Sequence, residues 1–289
     1  MATEARTRLS GITSGFITAL RFLFPLGRQA TGRRGDRVPD FTLWLVPIGL
    51  LIGLIWAGGF RLSWRLFGET GSLRLVPSLS VVLVECLFTG AFLVMGLART
   101  SHVLAGDHPP RAARDGTSSL SSVGILVLCL TVLAQFILIL SIHDSRAWWP
   151  SPDDWRYHFN FMYPRPIFRP LLLAPIWGRW GILLAGTVGR IAYAADAETR
   201  AVNRAMRPSR LVLSALIPLV LTAIYCSRSR NIFIGIIIGV IVFAVTFAIS
   251  VSFVWRSGGQ SRQSLYAAGQ VAQLAFLAVY RAFGGLIDG

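Results

Sequence analysis

Long apolar runs separated by short arginine-rich segments divide this 289-residue chain. About 20 apolar residues are needed to cross the hydrocarbon core of a bilayer. The pattern therefore predicts about seven transmembrane helices in one bundle, at residues 41–60, 77–98, 122–142, 170–189, 211–226, 232–255 and 264–286. The last run is the weakest, because Gln270, Gln273 and Arg281 interrupt it. Polar side chains in a span should face the bundle interior or lie near the interface.

The N-terminal segment has a different pattern. Residues 10–24 are too short to span and are interrupted by Arg21, but their apolar positions fall mostly on one helical face. This predicts an N-terminal interfacial helix. In the first span, Gly49 and Gly53 form a small-xxx-small pair, which is typical of close helix packing. No Ser/Gly-rich linker divides the chain, so we expect one polytopic membrane domain over residues 1–289.

Composition supports an integral membrane protein of the all-α class. Hydrophobic residues make up 54% of the chain and charged residues 14%, against about 25% charged in soluble domains. The net charge is +15 and there is no lysine. The arginines lie mostly between the apolar runs, as expected for contact with lipid headgroups, so membrane lipid is the expected partner and nucleic acid is not.

The distribution of arginine also predicts orientation. The N-terminal segment and the loops at 99–121, 190–210 and 256–263 together carry more arginines than the segments on the other side. The positive-inside rule then places these segments on the cytoplasmic face of a bacterial-type inner membrane. The loop at 143–169 is rich in Trp, Tyr and Pro, which indicates either an interfacial aromatic belt or a lid over a substrate. The sequence gives no indication of the oligomeric state.

Chemistry-bearing residues concentrate in one stretch, Thr89–Leu104, which reads TGAFLVMGLARTSHVL. It holds glycines, an arginine and a histidine that a plain membrane anchor does not need. Glu85 lies one helical turn before it, inside the second span. A carboxylate inside a membrane is costly and is a functional candidate by default. The alternative is a structural pair with Arg179 or Arg281.

The stretch resembles the signature of a known family. TGAFLVMGLARTSHV is similar to TGGLHLDGLADTADG of the cobalamin synthase (adenosylcobinamide-GDP ribazoletransferase) family. Further blocks follow in the family's order, and they are VPIGLLIG (46–53), RDG with SSVGILVL (114–128), LLLAPIWGRW (171–180) and residues 257–279. The resemblance runs from about residue 15 to the end of the chain.

The resemblance implies a membrane transferase. The family joins adenosylcobinamide-GDP to α-ribazole or its 5′-phosphate and releases GMP, with Mg²⁺ as the cofactor. Corrinoid and nucleotide-type small molecules are therefore the implied ligands. By their match to family blocks, the candidate substrate-binding residues are Thr89, Gly90, Gly96, Arg179 and Trp180. Asp115 is the one acidic position that is carried over, and it is a candidate catalytic residue.

This chain departs from the family at the metal-binding positions. The signature's three aspartates are Met95, Arg99 and His102 here, and a later family aspartate is Gln263. No Asp or Glu lies between Glu85 and Asp107. Losing one strong electrostatic contact costs ~10²–10³ in rate, so these substitutions predict little or no cobalamin formation by the family's metal-dependent route.

Three interpretations of this departure remain open. Arg99 could act as a fixed cation on a phosphate, since arginine binds phosphate bidentately. A relocated metal site could use His102, Asp107 and Asp115. Alternatively, the chain could be a catalytically degenerate paralogue that keeps the fold as a corrinoid- or phosphate-ligand-binding or scaffold protein.

Restoring aspartate at Met95, Arg99, His102 and Gln263 together tests whether only the metal site was lost. We expect Mg²⁺-dependent formation of cobalamin to appear in the quadruple variant, measured by mass spectrometry of the products. A folded variant that forms none would indicate that the divergence extends beyond these four positions.

Overall fold

The computed structural model describes residues 2–24, 40–67, 75–104, 120–142, 167–192, 195–226 and 233–288. Within these ranges the regular secondary structure is all α-helical, which confirms the predicted fold class. Ten helices follow in order, and they are α1 (Ala2–Leu23), α2 (Thr42–Phe67), α3 (Leu75–Thr89), α4 (Phe92–Leu104), α5 (Ser122–Ile142), α6 (Phe168–Thr187), α7 (Ala197–Ala205), α8 (Pro208–Tyr225), α9 (Phe233–Ser257) and α10 (Arg262–Asp288).

Helix α6 lies at the centre of the bundle. Residues 173–186 are all buried, because α2, α8, α9 and α10 pack around the helix. This position explains how α6 carries Arg169 and Arg179, which are both 1% exposed. A charged side chain in a span is tolerated where protein rather than lipid surrounds it.

Small residues bring the central helices together. A Cβ added at Gly53 would lie 2.5 Å from the backbone oxygen of Leu172, so α2 and α6 are in direct backbone contact there. A Cβ at Gly181 would lie 2.6 Å from that of Ala272, which gives α6 and α10 the same kind of contact. The hydrophobic effect does not drive helices together in lipid, so they associate through close backbone packing at small residues. The packing role predicted for Gly49 and Gly53 is confirmed.

The outer helices present apolar side chains to the surroundings, which confirms a membrane protein. Four described helices, α2, α5, α8 and α9, are long and apolar enough to cross a bilayer. The count is five if α3 and α4 form one broken span. Each predicted span corresponds to a helical segment. Helices α6 and α10 are not among these four, and they are buried in the bundle rather than presenting an apolar surface.

Three sequence predictions need correction. The second span is not one helix over 77–98, because it bends by 84° between α3 and α4. The segment at 190–210 is not simply a loop, because it contains α7, whose N-terminus is capped by Asp196. The N-terminal helix begins at Ala2 rather than near residue 10. Most of the aromatic loop at 143–169 lies outside the described residues, and the single-domain prediction stays a prediction.

Direct contacts join two of the three loops that the sequence places on one face, 190–210 and 256–263, while most of the third, 99–121, lies outside the described residues. Ile191 pairs with Gln260 in an isolated β-bridge, and the Gln260 side chain donates to backbone oxygens at the end of α6. Helix α4 runs antiparallel to α10, since Gly96 contacts Tyr266 while Leu93 contacts Gly269. The C-terminal ends of α4 and α6 and the N-terminal end of α10 therefore lie together, and we call this the motif end.

A matched pair of glycines on α2 tests the packing. Gly53→Ala should lower the free energy of unfolding by about 1–3 kcal/mol, because overpacking forces the backbones of α2 and α6 apart. Gly58→Ala should be neutral or slightly stabilising, since nothing lies within 4 Å of an added Cβ there and alanine favours helix. Thermal unfolding in detergent measures both, and equal melting temperatures would contradict the packing described here.

Candidate functional site

The signature stretch forms a sharp corner between two helices. Gly90 and Ala91 adopt φ angles of 61° and 55°, and two successive left-handed residues end α3 and redirect the chain into α4. Ala91 is the one described non-glycine residue with positive φ, a conformation that costs an alanine roughly 1–2 kcal/mol. The Thr89 hydroxyl donates to the backbone oxygen of Glu85 at 2.7 Å and closes the last turn of α3.

Helix α4 is pressed against α10 at Gly96. A Cβ there would lie 2.5 Å from that of Tyr266 and 3.0 Å from the backbone oxygen of Gln263. Gly96 is therefore required for packing, and it leaves no space for a ligand at that point. The contact places the signature helix beside the first turn of α10, where Gln263 occupies a family aspartate position.

Inside the bundle, five buried polar side chains form a connected network, and they are Glu85, Gln135, Arg179, Gln270 and Gln273. The Glu85 carboxylate accepts hydrogen bonds from Gln135 and, at 2.9 Å, from Gln273. Gln273 in turn accepts from Arg179 Nη1 at 3.1 Å, and Gln270 donates to Gln135 at 3.1 Å. The network connects α3, α5, α6 and α10.

Arg179 is the cation that compensates Glu85. The two charges interact electrostatically and are bridged by Gln273, which donates to the carboxylate and accepts from the guanidinium. Of the two partners predicted for Glu85, the structure places Arg179 beside it and not Arg281. Asp196 is bound to Arg262 rather than to Arg179.

Trp180 lies next to this network in the core. Its ring is 2% exposed and packs edge-on against Trp177, with 5.3 Å between ring centroids. Its indole Nε1 has no hydrogen-bond partner among the described residues. Arg179 and Trp180 are thus buried well inside the bundle, away from the motif end where α4 meets the first turn of α10.

A second charged cluster lies at the motif end. Arg262 binds Asp196 at 3.0 Å and also Glu198, both from the start of α7. Its guanidinium lies 4.9 Å from the ring centroid of Phe22 on α1, and the Tyr266 hydroxyl donates to the Phe22 backbone oxygen. Burial alone lowers the pKa of Arg262, but Tyr266, Glu198 and Asp196 together hold it above its usual value.

The remaining signature positions are placed as follows. Met95 and Arg99 are partly buried on α4, and the Arg99 Nε atom is buried without a hydrogen-bond partner in the described part of the chain. His102 lies in the last turn of α4, and nothing further is described for its side chain. Asp107 and Asp115 lie outside the described residues. The structure thus brings Arg99 and Gln263 to one end of the bundle.

Comparison with protein families agrees with this architecture. A family model described as cobalamin-5-phosphate synthase matches residues 12–280. The chain belongs to this family. Searches of curated proteins and of solved structures gave no significant match. The matched region includes α3, α4, α6, the polar network and the first two thirds of α10.

The residues at the family's acidic positions do not fit Mg²⁺. This ion takes oxygen ligands, chiefly carboxylates and water, whereas Met95 offers a thioether, Arg99 a cation and Gln263 a single amide oxygen. Among the described residues, no group of three His, Cys, Asp or Glu side chains could hold a metal ion. Asp196 and Glu198 are already bound to Arg262.

Sequence reasoning placed Gln270 and Gln273 in the bundle interior but missed their connection to Glu85. It also missed Gln135, although a glutamine within an otherwise apolar span is itself a signal for an internal partner. The cluster of Arg262, Asp196 and Glu198 gave no local signal, because its members are more than 60 residues apart along the chain.

A double-mutant cycle tests the network. Glu85→Gln or Arg179→Gln alone should cost about 3–5 kcal/mol, because each leaves an uncompensated buried charge. The double variant should cost clearly less than the sum, since both charges are then gone. Unfolding in dodecyl sulfate mixed micelles measures each, with Ser80→Ala on α3 as a control expected to change little. Additive effects would contradict the pairing.

Proposed function

We propose that the protein is a membrane transferase of the cobalamin synthase type that acts at the motif end of its bundle. The observation that carries this proposal is the family match over residues 12–280, together with the placement of its signature. The signature forms a corner at Gly90–Ala91 and a helix against the start of α10. The family's substrates, adenosylcobinamide-GDP and α-ribazole or its phosphate, are the proposed substrates here.

The proposed location of the reaction is the cytoplasmic face of a bacterial-type inner membrane. The contacts at the motif end support this, because they join the segments at 190–210 and 256–263, which the arginine distribution assigns to the cytoplasm, beside the end of α4. Soluble, charged substrates would reach this end without crossing the hydrocarbon core. The Gly90–Ala91 corner lies just before α4, the helix that carries Arg99.

The roles of the candidate residues can be divided on the basis of burial. Arg179 and Trp180 are enclosed in the core, which favours a role in holding the fold rather than in contacting a substrate. Gly96 acts through packing. Arg99 is the candidate for direct contact with a phosphate, because it is partly exposed and one of its donors is unused. Asp115 remains a proposed catalytic residue by resemblance.

A binding-only paralogue is the alternative function. The observation that favours it is the absence of carboxylates at Met95, Arg99, His102 and Gln263. The family match does not favour it over the transferase. Both functions use the same site, and they differ only in whether a bond is formed between the two substrates.

Product formation separates the two functions. Purified protein in neutral lipid nanodiscs, given adenosylcobinamide-GDP and α-ribazole, should release GMP and form adenosylcobalamin. The rate should be at least ~10²–10³ below that of an aspartate-containing family member, because strong electrostatic contacts are missing. Liquid chromatography with mass spectrometry measures both products. Binding of substrate without any product would contradict the transferase and support the binding-only function.

A further inference from the structure

Among the described residues, three arginines have a carboxylate that compensates their charge. Arg179 is compensated by Glu85, Arg262 by Asp196 and Glu198, and Arg210 by Asp40 at 2.7 Å. These side chains already have the anions that they need. They are therefore poor candidates for binding an external anion without losing an internal contact.

Arg99 differs from them in its ion pairing, because no described carboxylate lies within ion-pair distance of it. Its Nε atom is also buried without a hydrogen-bond partner among the described residues, as is the Nε atom of Arg179. A buried donor without an acceptor costs about 1–3 kcal/mol, and more for a charged group. An anion bound to Arg99 would satisfy this donor.

The position of Arg99 favours a bound anion. Gly96 contacts Gln263 and Tyr266 on α10, and Arg99 lies one helical turn further along α4. Because the two helices are antiparallel, that turn lies towards the start of α10, near Gln263. By the resemblance, Arg99 and Gln263 stand at positions where the family has aspartates that would hold the metal, and the guanidinium brings one positive charge to this end of α4.

The carboxylates beside this location are not free to rebuild a metal site. Asp196 and Glu198 are both bound to Arg262 in the first turn of α10, and this arginine is 23% exposed and also lies against the Phe22 ring. A divalent ion there would have to displace a bound guanidinium. The motif end therefore carries two arginines, Arg262 paired with carboxylates and Arg99 without a described carboxylate partner.

The geometry points to Arg99 as a phosphate-binding residue that replaces the divalent metal, so that this protein binds the phosphate groups of its ligand without Mg²⁺. Arginine suits the task because its planar donors bind two phosphate oxygens at once. The ligand class is a soluble diphosphate ester. This inference rests on the proposed function for its ligand class only, since phosphate binding by Arg99 does not require that turnover follows.

Inorganic pyrophosphate is the probe, and isothermal calorimetry on the full chain in neutral phosphatidylcholine nanodiscs is the measurement. We expect saturable binding in EDTA that added Mg²⁺ does not tighten. Arg99→Ala should weaken binding about 10- to 100-fold, which corresponds to the loss of a hydrogen-bonded charge. Arg204→Ala, which removes an exposed arginine from α7, is the control with the same net charge and should bind like the wild type.

Further variants and conditions keep the test decisive. If Arg99→Ala does not fold, Arg99→Lys serves instead and should show a smaller loss, because lysine keeps the charge but not the bidentate geometry. Binding that requires Mg²⁺, or that is unchanged in both Arg99 variants, would overturn the proposal. Nanodiscs that contain phosphatidylglycerol test whether the bound phosphate comes from a soluble ligand or from a lipid headgroup. Unchanged pyrophosphate affinity in these nanodiscs supports a soluble ligand. If phosphatidylglycerol competes with pyrophosphate, and this competition is lost only in the Arg99 variants, the ligand is a lipid headgroup and the proposal is overturned.

Failure of this inference is distinguishable from failure of the proposed function. Product formation with no Arg99-dependent binding would contradict the arginine site alone. Arg99-dependent binding without product would contradict the transferase alone.

Discussion

The interior of a membrane bundle offers no water, so every charge placed there must be compensated by the protein itself. Glu85 and Arg179 meet this constraint together, with Gln273 hydrogen-bonded to both and Gln135 completing the contacts of the carboxylate. Because these residues come from α3, α5, α6 and α10, one pair of buried charges bridged by Gln273 sets the relative position of four helices. It also anchors the last turn of α3, from which the corner at Gly90–Ala91 begins.

The motif end follows the same rule with a different result. The contact at Gly96 fixes α4 on α10, and α10 is in turn tied to α1 and α7 through Tyr266 and Arg262. At this end Arg262 is bound to Asp196 and Glu198, while Arg99 has no described carboxylate within ion-pair distance. By the resemblance, the family's reaction would use metal cations here to neutralise phosphate charge. Under the proposal, Arg99 supplies a cation by another route.

Much of the fold could be predicted from the sequence, because hydropathy and small-residue spacing act locally. The predictions included the spans, the packing of Gly49 and Gly53, and an arginine partner for Glu85, either Arg179 or Arg281. The corner at Gly90–Ala91 could not be predicted from hydropathy, which continues through it, and alanine rarely adopts positive φ. The carboxylate partners of Arg262 could not be predicted either, because only tertiary packing brings α7 to α10. The site itself was predicted only as far as the family signature reaches, since Asp107 and Asp115 lie beyond the described residues.

A structure of the protein with a bound diphosphate ligand, determined by cryo-electron microscopy in EDTA, tests the central claim most directly. The account predicts phosphate oxygens within hydrogen-bond distance of the Arg99 guanidinium at the motif end, with the Glu85–Arg179 network intact beneath them. Phosphate density away from Arg99, or density that appears only when Mg²⁺ is added and is held there by Asp107 or Asp115, would contradict it.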